Sequence, residues 1–170
     1  EGLTIQSSKR KLTSLKKAAL DRVQVLISEQ EQSQKIFKDS SLDYVKQQLK
    51  RKTYTEEMGV AIVESYKKQN DVIRERYADQ EAIEIASARK SITLGAKTFI
   101  EKRQAQEEFE AAKEEIIERY KEKLAALGLK EVEIAQAVTD LVKADFARRY
   151  NNAITAYDKY MTAIAKKAEE

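Results

Sequence analysis

Proline is absent from this 170-residue chain and glycine occurs only four times. Those two residues end helices and shape tight turns, so their scarcity removes most of the punctuation a mixed α/β fold needs. The chain also lacks His, Cys and Trp. Without His and Cys it has lost the commonest metal ligands, nucleophiles and near-neutral acid–base groups. Charged residues make up 36% of the chain, against about 25% in ordinary globular domains. That excess suits helices with a wide wet face and a narrow apolar stripe. Eight Tyr, four Phe and regular aliphatic spacing separate the chain from disordered sequences of similar polarity. The expected fold is all-α: a single elongated domain over residues 1–170, an antiparallel bundle or set of hairpins of three to four long helices.

Hydrophobic spacing places the helices. Leu12, Leu15, Ala19, Val23 and Leu26 form a narrow seam, and the polar run 29–34 interrupts it. Ser40 followed by Asp43 resembles a capping box, which predicts a first hairpin near 38–41. Ile62 and Ile73, and Tyr66 and Tyr77, recur eleven apart, a period that keeps one face on a nearly straight helix. Thr53 and Glu56 suggest a kink or short break near 52–55, Asp79 a weaker break near 78–80, and Gly95 a bend. The sharpest local signal is Leu124-Ala-Ala-Leu-Gly128-Leu129. Gly128 fits the left-handed end of a helix and Leu129 its apolar contact with Leu124, predicting a hairpin near 127–130. A last stripe runs through Val138, Val142, Phe146, Tyr150, Ala153, Tyr157, Met161 and Ile164.

Chemistry is read mostly by subtraction. No triad, thiol nucleophile or phosphate-cradling loop is available, so the chain is expected to be no enzyme, with no metal site and no cofactor. The dense glutamates from Glu107 to Glu122 interleave with Lys113, Arg119, Lys121 and Lys123, the pattern of a salt-bridged solvent face. Function then falls to surfaces. Tyr150 and Tyr157 lie on the apolar stripe and are expected in the core. Arg148, Arg149 and Tyr160 are candidates for a partner-binding patch, since Tyr and Arg anchor interfaces. Lys50, Arg51 and Lys52 form the tightest basic run. A net charge of +3 with mixed signs argues against nucleic acid. The basic N-terminal helix leaves one further alternative, binding to a membrane surface through the amphipathic segment 9–27 or, less favoured by this charge, to nucleic acid, and no apolar run approaches the ~20 residues needed to span a bilayer.

Two segments carry a resemblance. Ser7-Ser-Lys-Arg-Lys-Leu-Thr-Ser-Leu-Lys-Lys17 leads into a Lys-rich first helix. Tyr150-Asn-Asn-Ala-Ile-Thr-Ala-Tyr-Asp-Lys-Tyr160 is followed by a Lys- and Ala-rich end. In texture they resemble the elongated helical region between the leader and the killing domain of colicin-like bacteriocins, notably the S-type pyocins. That resemblance implies a receptor-recognition or translocation module with a protein partner such as an outer-membrane receptor, in a secreted or periplasmic setting. The start Glu-Gly-Leu agrees with an excerpt of a larger or processed protein. A structural, self-assembling coiled coil is the alternative from another class.

Overall fold

The computed structural model describes residues 2–169, and only two short segments of them lie outside helices. The elements are α1 (Gly2–Arg51), α2 (Glu56–Thr93) and α3 (Phe99–Glu169). At 1.5 Å per residue they extend about 75, 57 and 106 Å. Helix α2 returns antiparallel to α1, with Gln24 opposite Gln80 and Gln34 opposite Asn70. Helix α3 reverses again and runs parallel to α1. The all-α expectation holds, with three helices.

Buried apolar residues run along the bundle, from the 52–55 turn through Tyr120, Ile116, Phe109 and Ala105 on the α3 side toward the other turn, and two clusters stand out. Val45, Leu49, Ile62, Tyr66, Ile134 and Val138 form one cluster toward the 52–55 turn. Ile27, Ile73 and Leu127 form a second in mid-bundle. The eleven-residue spacing of α2 is visible in this packing: Ile62, Tyr66 and Ile73 are buried and Tyr77 packs at the edge. No described residue before Ile27, and none after Val138, is buried.

A polar layer separates the two clusters. Asn70, fully buried, accepts a hydrogen bond from Gln34 Nε2 on α1. Its own Nδ2 donates to the Leu127 carbonyl at 3.1 Å and to Glu131 Oε1 at 2.9 Å, both on α3. Arg74 Nη2 completes the set with a 2.6 Å bond to the same Glu131 oxygen. The polar interruption near 29–34 thus has a partner in the interior, and Gln34 is its buried member.

The helix boundaries differ from the sequence expectation. Helix α1 runs unbroken through 38–41, and there is no hairpin there. Ser41 is buried, Phe37 and Leu42 pack on the core, and Lys38 reaches Glu133 at 3.9 Å, so tertiary contacts on both sides carry the helix across the polar stretch. Helix α3 runs unbroken through 127–130. Leu127 is core, Leu129 is 66% exposed, and the Leu129–Leu124 contact of a helix end is replaced by burial of Leu127. Nor does Asp79 start a helix; it sits inside α2 and pairs with Arg76.

The real chain reversals use different chemistry. Lys52, at φ 61°, occupies the left-handed position that glycine usually takes. Its N–H donates to Leu49 O, and that of Thr53 to Gln48 O, the paired bonds of a Schellman motif. Thr55, not Thr53, is the N-cap of α2, without a side-chain cap bond. At the other end Gly95, at φ 91°, makes a full reversal rather than a bend. A true capping box follows: Glu101 Oε2 accepts from the Thr98 and Lys97 N–H groups, and Glu101 N–H donates to Thr98 Oγ1. Those bonds hold the Glu101 carboxyl below the usual range, the Thr98 N–H foremost.

Two predictions follow from this packing. A methyl group added at Gly128 meets nothing within 4 Å, and the position is helical. Gly128→Ala should therefore raise stability by about 1 kcal/mol, measured by denaturant unfolding, whereas a helix end there would lose stability. Burial, aided by Glu84, pushes the Tyr120 hydroxyl up to about 12, and burial also raises those of Tyr66 and Tyr77. The folded state thus favours the neutral phenol. Its stabilising contribution is complete below the unfolded value near 10 and is lost as the pH rises from there toward 12. Thermal melts across that window should fall, and Tyr120→Phe should flatten the fall.

Candidate functional site

The structure brings four of the six candidate residues together. Lys50 lies at the end of α1 and Lys52 in the turn, while Arg148 and Arg149 lie where α3 passes that turn. With Leu49 and Asn152 they line a notch of about 410 Å³. Arg149 Nη2 donates across it to the Leu49 carbonyl at 2.6 Å. A cation therefore caps the negative end of the α1 dipole. Asp145, nearly buried, holds both arginines, at 2.5 Å to Arg148 and 2.7 Å to Arg149. Arg51 is exposed beside the notch but does not line it. Tyr160 sits about three turns beyond Arg149 and is 64% exposed.

Part of this positive charge is committed to the fold. Asp145 bridges Arg148 and Arg149 with a single negative charge, so the pair keeps a net positive charge, and Lys46 on the adjoining turn of α1 pairs with Asp43. The notch joins α1 to α3 and fixes the point at which α3 leaves the bundle. Its components lie about a hundred residues apart in sequence, and only the parallel course of α1 and α3 makes them neighbours.

Past this joint α3 continues alone. Every residue from Phe146 to Ala168 is exposed. Tyr150 and Tyr157, expected in the core, are 59% and 61% exposed. The stripe is present as read, but α1 and α2 do not extend far enough to cover it. Arg149, a candidate for a partner-binding patch, is exposed and also engaged within the chain with Leu49 and Asp145. Phe146, Tyr150, Ile154, Tyr157, Met161 and Ile164 give this arm a continuous apolar face, and Tyr160 borders it.

Other surfaces offer less. A groove of about 330 Å³ opens between α2 and α3, lined by Tyr54, Gly59, Val63, Lys67, Val138 and Thr139 among others. Gly59 lies so close to the Tyr54 hydroxyl and Val138 that a Cβ would displace Tyr54. Burial, then Glu56, raises the Tyr54 phenol, keeping it neutral. The groove holds no nucleophile paired with a base. Among the described residues no group of three or more carboxylates is placed to hold a metal ion. No described helix is long and apolar enough to cross a membrane. The basic residues between Lys9 and Arg22 lie on α1 where no described residue is buried, and Leu15 beside them is 60% exposed. No family model, curated protein or solved structure matches this chain, so its function is read from these surfaces alone.

Proposed function

We propose that this chain is a non-catalytic protein-binding module, a stalk of three helices that holds out the end of α3 as its binding arm. One observation carries the reading: the contiguous apolar and aromatic face from Phe146 to Ile164 is not covered by any of the described residues. Contiguous exposed apolar surface of this kind marks interaction sites, and Tyr is among the residues that anchor them. The joint at Asp145 and Arg149 supports it by fixing the base of the arm to α1, so the arm is presented in a defined direction. Receptor recognition or translocation in an exported bacterial protein, as the resemblance to colicin-like bacteriocins implies, is one specific form of this reading. In that form the partner of the arm is an outer-membrane protein.

Photo-crosslinking tests it. A benzophenone side chain at Tyr157 should yield a discrete protein adduct when the chain meets an outer-membrane extract or more of its own kind. The same group at Val132, exposed on the stalk, should yield none. Adducts from both positions alike, or from neither, would overturn the reading.

A further inference from the structure

We infer that the partner of the arm is a second copy of this chain, bound antiparallel across a two-fold axis near Thr155. The inference rests on the reading that the arm is a binding element, and it names the occupant. Phe146, Tyr150, Ala153, Tyr157, Tyr160 and Ile164 recur at alternating steps of four and three, the seam of a coiled coil. Turned end for end, that seam matches itself. Phe146 then meets Ile164 of the second copy, Tyr150 meets Tyr160, and Ala153 meets Tyr157.

The sizes decide the orientation. In the antiparallel pair the small Ala153 receives the large Tyr157 at both central layers, and tyrosine faces tyrosine only at the two Tyr150–Tyr160 layers. A parallel pair would set each residue against itself, crowding three tyrosine layers and leaving a void between facing alanines. The flanks agree. In the antiparallel pair Ile154 meets Ile154, Ala156 meets Ala156, and Arg149 lies opposite Ala163, so no like charges are brought together along the seam. The small alanines let the two backbones approach closely, and the stalks project from opposite ends without competing for space.

The area is sufficient. Phe146, Tyr150, Tyr157 and Tyr160 are 71%, 59%, 61% and 64% exposed. At roughly 200 Å² for each aromatic side chain they offer about 500 Å² per copy. With Ile154, Met161 and Ile164, full cover in both copies would bury up to about 1,400 Å², within the range of about 1,200–2,000 Å² for stable interfaces. Two identical patches facing one another make a closed, two-fold contact that ends at the dimer.

Sedimentation equilibrium of the full chain tests the inference. The expected mass is twice the 19.5 kDa of one chain, and Tyr157→Glu should return the single-chain mass with unchanged helicity, because the arm lies outside the core. A wild-type chain that stays single at every concentration, or a Tyr157→Glu chain that still doubles, overturns it. Orientation is read separately, since the chain has no Cys of its own. Phe146→Cys chains mixed with Ile164→Cys chains should oxidise to the mixed disulfide. Disulfides between two Phe146→Cys chains would mean a parallel pair and contradict the inference. A single-chain mass together with an outer-membrane adduct at Tyr157 would overturn self-pairing while leaving the binding arm standing.

Discussion

The buried amide of Asn70 is the constraint on which the rest of the structure depends. It is inaccessible to water, yet both ends of its side chain are satisfied, by Gln34 on α1 and by Leu127 and Glu131 on α3. Apolar contacts between helices tolerate sliding by a turn; this set does not. A shift of any one helix would strand a buried donor or acceptor at a cost of about 1–3 kcal/mol each. Glu131 adds to the demand, because its carboxylate is held between Asn70 and Arg74. The layer therefore sets the axial register of three long helices whose remaining surfaces are largely polar.

Register in turn sets the length of the arm. With Gln34 and Leu127 fixed at one level, α1 continues for about five turns to Arg51, whereas α3 continues for about twelve. The surplus of roughly seven turns, near 37 Å, is the part of α3 that no other helix reaches. Arg149 and Asp145 sit at its root and tie it to the last carbonyls of α1. A polar contact in mid-bundle and a cation at a helix end together turn a difference in helix length into a presented surface.

Much of the fold was legible in the sequence, because periodicity records which face of a helix is apolar. The eleven-residue spacing of α2 and the stripe through Val138 both correspond to real faces. Boundaries were less legible. Gly128 has every local mark of a helix end and lies within a helix, because Leu127 is more stabilised in the core than its turn would be by ending. Lys52 has none of those marks and ends one, its left-handed backbone imposed by the return of α2 onto α1. Thr98 and Glu101 form the capping box that Ser40 and Asp43 only resemble; the preferred Glu at the third position was the available signal. The site was legible in part. Arg148, Arg149, Lys50 and Lys52 could be named but not brought together, since nothing local says that α1 and α3 run side by side. A stripe also does not say whether a neighbour covers it, and Tyr150 and Tyr157, which continue the stripe of Val138, lie beyond the reach of α1 and α2.

A continuous register-locked stalk with a bare arm is the central claim, and amide hydrogen exchange along the chain tests it most directly. The account predicts protection that continues without a gap through residues 38–41 and 127–130 and is highest around Asn70 and Leu127. Residues 150–168 should exchange fast in dilute solution and slow as the chain is concentrated. Fast exchange at 127–130, or an arm as protected as the core at the lowest concentration, would contradict it.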